Sequence, residues 1–510
     1  MSMLFALSPI LAVGVGALLL MLAEAAGKPA AAAGVNAAGV VTDAGSGRAA
    51  ELSLGASVIL AAGAIFSIAV WLVGPESLPG VEAVSPYFIV DRFSLFYSFV
   101  LCLGGMFAAL FAGGYMPEHR IDRSELFPLL LLSTVGAIAL AAAGDLLTLF
   151  VGLETMSLGV YCMIALRRGS LRANEAALKY FLLGSFAAAL QLFGAALLYG
   201  ATGHTDLVSI GKALAAIGQP ESAVSGPMVL VALVLTIVGL AFKVGAVPFH
   251  MWTPDAYEGA PTPTTTYMAV AIKSAAFAIL LRVLVIAFGD ERLLSWGSGW
   301  PPVIALLAVL SMTVGNFVAG RQESVKRMLA YSSIAHAGYA LVGVVAIMGS
   351  ERAESAVSFY LLTYTLSTAG AFGSLILCGS RGREAVSYDD LAGIGKRHPT
   401  VALVFSLFLL SLAGIPPTAG FFGKLYVFSA AIDSGLYVLT VIGLLNSVVA
   451  AYYYLRVMVY MYMRDPAADA PVAVPMRSSL VNVALMLAAV GVVLVGVLPA
   501  GALKLAAGLP

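Results

Sequence analysis

The chain has 510 residues, 61% of them hydrophobic and only 11% charged, with 27 basic side chains balancing 27 acidic ones. Soluble domains carry about 25% charge, so this surface cannot face water. Apolar runs of about 20 residues, each able to cross a bilayer, make the chain an all-α polytopic membrane protein and exclude a β-barrel, whose strands alternate over about 10 residues.

The zero net charge leaves no basic surface for nucleic acid. Cys102, Cys162 and Cys378 stand isolated in apolar runs, so no iron–sulfur or zinc ligand set is expected. No Gly-rich phosphate-binding motif occurs.

In chain order, spans are predicted at 3–23, 53–73 and 94–114, forming an N-terminal unit over 1–114. The first lacks a basic n-region and reads as a retained helix. The Ala/Gly-rich stretch 24–52 reads as a flexible insertion without chemistry. Spans at 126–143, 145–166, 174–200, 227–250 and 261–288 form a first repeat over 126–288. Spans at 301–320, 324–348, 354–379, 399–432 and 435–463 form a second over 301–463, and a fourteenth span covers 478–499. With the N-terminus outside, 16 Lys and Arg fall in cytoplasmic loops, Lys28 and Arg381 among them, against 5 in outer loops. That bias supports fourteen spans with both termini outside.

Six basic residues lie within predicted spans: Lys179, Lys243, Lys273, Arg282, Lys424 and Arg456. One acid, Glu154, sits near the middle of the fifth. A charge at membrane depth costs about 2.5–3.5 kcal/mol even on lenient scales. Such groups persist by pairing, by lining water or by titrating. Buried lysine suits titration, whereas arginine keeps its proton. Arg282 and Arg456, near helix ends, are expected to snorkel. His336 is either a proton relay or a satisfied structural group. Tyr360, Thr363, Tyr364, Ser367 and Thr368 on the eleventh span hold water or bond neighbouring helices. His250 and Asp255 mark either an entrance or a turn.

Pro248 predicts a break in the seventh span, and the pair Pro416–Pro417 one in the twelfth. Breaks expose backbone groups, which is tolerated only inside protein or beside water. An offset of five spans means opposite orientation, hence two inverted five-helix repeats. Aligning Pro248 with Pro416 sets Lys243 opposite Ser411 and leaves Lys424 beyond the break, on the outer side.

The segments LFVGLETMSLGVYCMIAL, ANEAALKYFLLGSF, AFKVGAVPFHMWTPDAYEGAPTPTTTYMAVAIKSA, VKRMLAYSSIAHAGYALVG and LAGIPPTAGFFGKLYVF resemble the antiporter-like membrane subunits of respiratory complex I. The similarity runs from about residue 87 to 463, and ALKYFLLGSF favours the N type. The resemblance implies a proton-translocating subunit of a bacterial NADH–quinone oxidoreductase in the inner membrane, with a polar axis through Glu154, Lys179, Lys243, Lys273 and Lys424. It implies that Glu154 pairs with a lysine, here Lys179. It also implies no redox centre in this chain, with FMN, iron–sulfur clusters and quinone in partner subunits of a hetero-oligomer. Expected neighbours are the antiporter-like M type and the small K and J types. Rival readings are a subunit of a cation/proton antiporter or membrane-bound hydrogenase, a scaffold subunit that moves no protons, and a free-standing solute transporter.

Overall fold

The structure, a computed structural model, describes residues 2–26, 34–35, 41–42, 46–121, 123–217, 224–297, 299–379, 382–466 and 474–507. Lys28, Arg381 and most of 27–45 lie outside the described residues. Within that insertion, Gly34–Val35 pairs antiparallel with Val41–Thr42.

In hydrocarbon every backbone N–H and C=O must bond within its own segment, so the apolar runs become helices. They are α1 (Ser8–Ala26), α2 (Ser46–Val73), α3 (Arg92–Glu118), α4 (Leu126–Ala141), α5 (Leu146–Ala165), α6 (Leu171–Thr202) and α7 (Gly226–Val244). Next come α8 (Thr262–Ala287), α9 (Pro301–Ala319), α10 (Val325–Ala346) and α11 (Ala353–Cys378). The last are α12, in two halves (Pro399–Ala413 and Ala419–Asp433), α13 (Tyr437–Met463) and α14 (Ser479–Val497). Twelve are long and apolar enough to cross a membrane, while α4 and the first half of α12 are shorter apolar helices. Side chains of Asp91, Asp145, Ser170, Ser324 and Ser478 cap the free amides that open α3, α5, α6, α10 and α14. Helices α8, α10 and α11 are almost wholly buried and form the middle of the molecule.

Polar contacts sort the connections into two ends, as alternating spans require. At one end, Glu24 meets Arg48 and Ser124, Glu384 meets Tyr115, Thr262 and Lys326, and Lys396 meets Asp465. We call this the basic end, because the loops rich in Lys and Arg lie there. At the opposite end, Asp91 meets Arg282, Ile89 bonds Ala142, and Ser434 bonds Ala346.

Helix α7 stops at Gly245, whose φ of 74° is left-handed, and the first half of α12 stops at Gly414 with φ 86°. A side chain is strained there, so glycine ends each helix. After Gly245 the chain runs irregularly to the short helix Trp252–Gly259. The backbone groups freed at the breaks find side chains. Ser311 accepts from the Val247 amide at 2.9 Å, Ser411 from the Gly420 amide at 3.1 Å, and the Trp252 indole donates to the Phe242 carbonyl at 3.0 Å. These glycines correct the register expected from sequence. Pro248 and Pro417 each follow their glycine by three residues, so Pro248 matches Pro417 and Lys243 faces Leu412. Lys424 and Asp255 each follow by ten.

A constant offset also relates α4 and α5 to α9 and α10. Gly136 lies against Met156, and Gly315 against Ala335, where an added Cβ would stand 2.7 Å from the amide nitrogen. Gly159 lies against Leu129 and Ser133, and Gly338 against Ala308 and Met312. Every partner in the second pair is 179 positions beyond its counterpart. Helix α4 starts at the basic end and α9 at the opposite end, so the match is inverted. The same offset puts Ser333 where the first repeat has Glu154, and His336 where it has Ser157.

Candidate functional site

Lys243 occupies the last turn of α7 before the break, and burial there is nearly complete. Its Nζ donates to Ser157 Oγ at 2.8 Å and Tyr161 Oη at 3.5 Å, both on α5. It also lies 5.7–5.8 Å from the ring centres of Tyr161, Tyr180 and Phe242. Ser157 and Tyr161 follow Glu154 by three and seven residues, so all three share one helical face. Glu154 interacts electrostatically with Lys243 and Tyr161. Its Oε1 is buried with no hydrogen-bond partner among the described residues.

Lys179 departs from the expected pairing. Its Nζ bonds Glu175 at 2.7 Å and Asp255 at 3.0 Å, with about half of the side chain exposed at the basic end. With α5 ending at Ala165 and α6 starting at Leu171, Glu154 lies deeper than Lys179 by about three residues counted from the α5–α6 turn, or roughly 4.5 Å. The lysine stem is long enough for that offset, but Glu175 and Asp255 hold the ammonium at the basic end. The acid of α5 therefore faces the lysine of α7.

Lys273 follows a π-helical turn, Met268–Ile272, that no residue pattern announces. Its Nζ donates to the carbonyl and hydroxyl of Ser333 on α10 and lies 5.8 Å from the Tyr364 ring centre. Between Lys243 and Lys273 stand the rings of Tyr180, Trp252 and Tyr257, with Tyr180 and Trp252 stacked at 4.3 Å. The Tyr257 hydroxyl is 3.5 Å from Ser333 Oγ.

His336 is buried, with Nδ1 at 2.6 Å from Tyr360 Oη and Nε2 at 3.0 Å from Tyr454 Oη. Tyr454 also bonds Ser332. A neutral imidazole donates from one nitrogen and accepts at the other, so it joins two hydroxyls in one chain. His336 feels both Lys273 and Lys424 electrostatically. The α11 hydroxyls divide: Tyr360 bonds His336, Ser367 bonds Ser411 at 2.7 Å, and Thr363 turns back to its own helix. Tyr454 lay in an aromatic run of α13 that carried no distinguishing sequence signal.

Lys424, in the second half of α12, reaches back to the break. Its Nζ donates to the Ala413 carbonyl and to Ser447 Oγ, both at 2.8 Å, above the Tyr339 ring. None of Lys243, Lys273 and Lys424 forms an ion pair among the described residues.

Of the two arginines expected to snorkel, Arg282 does not, while Arg456 is half-buried and reaches the basic end. Arg282 is fully buried, and its guanidinium grips Asp91 through two bonds of 2.9 and 3.0 Å and donates to the Ala141 carbonyl. Asp91 precedes α3, so the partner came from outside the hydrophobic pattern. Arg456 donates to the carbonyls of Gly320 and Gln322 and lies over Tyr388. Among the described residues no three His, Cys, Asp or Glu side chains cluster as a metal site.

Residues 143–450 match the family described as NADH:quinone oxidoreductase/Mrp antiporter, transmembrane region. NADH-quinone oxidoreductase subunit N 1 of Sorangium cellulosum is 63% identical over 503 residues, 98% of this chain and 97% of that protein. A chain of respiratory complex I from Thermus thermophilus with bound aureothin superposes with TM-score 0.78 at 34% identity, covering 98% of this chain and 100% of that one. A chain of the Mrp complex from a Dietzia species has the same fold, with TM-score 0.79 at 22% identity over 99% of this chain and 96% of that one.

Proposed function

The chain belongs to the NADH:quinone oxidoreductase/Mrp antiporter membrane family, and from that premise we propose that it is the N-type proton-translocating subunit of a bacterial NADH–quinone oxidoreductase. The observation that carries the reading is the set of three buried lysines, Lys243, Lys273 and Lys424, each bonded only to hydroxyls and carbonyls. An ammonium without a carboxylate partner can give up its proton to a neighbour, whereas ion-paired Lys179 holds its own.

Protons would pass in two linked segments. In the first, Lys243 exchanges with the Ser157 and Tyr161 hydroxyls while Glu154 compensates its charge. In the second, Lys273, His336 with Tyr360 and Tyr454, and Lys424 form the row. His336 accepts at one nitrogen as it donates from the other, so a proton crosses the ring without motion of a helix. Lys424 and Ser447 pass it on toward the outer side. The basic end faces the cytoplasm by the positive-inside bias, and both termini face the periplasm. Oxidation of NADH and reduction of quinone belong to partner subunits, which hold the flavin and iron–sulfur clusters. The M-type and the small K- and J-type subunits flank this chain. A role in a cation/proton antiporter has less support, since likeness to the Mrp chain is 22% identity against 63% to the subunit N relative.

The test is Lys243→Ala and Lys243→Arg in the whole complex. Both variants should assemble, and both should lose most proton pumping and coupled quinone reduction, because guanidinium keeps its proton. Pumping at the parent rate by Lys243→Ala in sealed vesicles would remove Lys243 from the path.

A further inference from the structure

A cavity of about 280 Å³ opens at the basic end, lined by Arg172, Glu175, Lys179, Asp255, Glu258 and Arg327. These six charges come from three elements: α6, the short helix Trp252–Gly259, and α10. Five of them, all but Arg172, form one chain of ion pairs. Glu175 bonds Lys179 at 2.7 Å, Lys179 bonds Asp255 at 3.0 Å, Asp255 bonds Arg327 at 3.0 Å, and Arg327 bonds Glu258 at 3.0 Å.

Asp255 is the middle link, and its two oxygens hold cations from different repeats, Lys179 on α6 and Arg327 on α10. Each cation also has its own acid nearby. Neutralising Asp255 therefore frees α6 from the short helix and α10, while Lys179 keeps Glu175 and Arg327 keeps Glu258, so no cation is left unpaired. Behind the cavity stand the stacked rings of Tyr180 and Trp252, and beyond them Lys243.

We infer that Asp255 is the positioning residue of the proton-uptake mouth: by tying Lys179 to Arg327 it seals the floor of the cavity between the two repeats, where Ala176 is buried, and release of the tie admits water to the aromatic layer below Lys243. This rests on the proton-pumping reading for its purpose, not for its geometry. Burial pushes the Asp255 carboxyl up, but Lys179 and Arg327 outweigh it and hold the group below the usual carboxylate range. A depressed carboxylate keeps its tie at higher pH and loses it as pH falls through its own value. Glu175, Glu258, Arg172, Lys179 and Arg327 are the charged groups facing it. The tie is thus closed at neutral pH and opens when the helices part or the acid is neutralised.

The experiment uses the complete complex in inside-out vesicles. Ala176 is buried and lines the cavity, so Ala176→Cys reports access when a membrane-impermeant maleimide is added. The chain without this substitution sets the background, because Cys162 is exposed. Adding Asp255→Asn should speed labelling several-fold and lower the protons pumped per electron. Asp255→Glu should restore both toward the parent. Lys179→Gln, which removes one strut at the rim, should give intermediate labelling and serves if Asp255→Asn fails to assemble. Parent-rate labelling in Asp255→Asn, or faster labelling with an unchanged pumping ratio, would overturn the inference. Lys243→Ala in the same vesicles keeps the two readings apart, since its pumping judges the proton path and the labelling judges the latch.

Discussion

Glu384→Gln removes, from the connection between α11 and α12, the carboxylate that pairs with buried Lys326 of α10. Lys326 is only 1% exposed, and its Nζ meets Glu384 Oε2 at 3.2 Å. Glu384 Oε1 accepts from the Tyr115 and Thr262 hydroxyls. Burial alone would raise this carboxyl, yet Lys326 and the two hydroxyls hold it at about 2 against an ordinary 4.5. At about 1.4 kcal/mol per pH unit, that gap is worth about 3 kcal/mol. Breaking a buried pair on one side typically costs 3–5 kcal/mol, so the two routes to the magnitude agree. The contribution is complete above about 4.5, declines as pH falls toward about 2, and is absent below. The network fixes the start of α8, which carries Lys273, to the start of α10, which carries His336. Thermal unfolding of the purified complex should therefore show this subunit melting lower by on the order of 5 °C. The variant should also lose the parent's decline in stability between pH 4.5 and 2. Lys326→Met in the Glu384→Gln background should recover much of the loss, since an apolar replacement leaves no unpaired charge. Melting at the parent temperature in Glu384→Gln, or a double variant no better than the single, would refute the argument.

Lys424→Arg should assemble on native gels yet pump poorly in vesicles from the same preparation. Arginine can serve the Ala413 carbonyl but cannot release a proton; full pumping would leave Lys424 structural and move the exit toward His336. Glu154→Gln and Lys179→Ala should be additive in a double-mutant cycle on pumping, whereas Glu154→Gln and Lys243→Ala should not; the reverse pattern would restore the α5–α6 pairing. Gly338→Ala should impair assembly, because its Cβ would stand 2.7 Å from the Met312 amide nitrogen; normal assembly would show that α9 and α10 can part without cost.

By itself the sequence determined the helices, the deep charges and the breaks, because hydrocarbon penalises each departure from apolar helix separately and locally. A lysine amid apolar residues at 243, 273 or 424 stands out whatever the rest of the chain does. Gly414 and Pro417, like Gly245 and Pro248, end helices through their own backbone restrictions. The inverted order follows from counting spans. Tertiary structure alone decided which charge answers which. Consecutive helices put Glu154 and Lys179 side by side in sequence, but their depths differ, and α7 brings Lys243 to the face that Glu154 shares with Ser157. Arg282 found Asp91 across 191 positions, and His336 found Tyr454 on a helix with no periodic signal. Lys273 owes its setting to π turns that its residues do not announce. These partnerships depend on the axial shift and rotation of helices packed against one another, quantities that apolar patterning leaves free and close packing fixes.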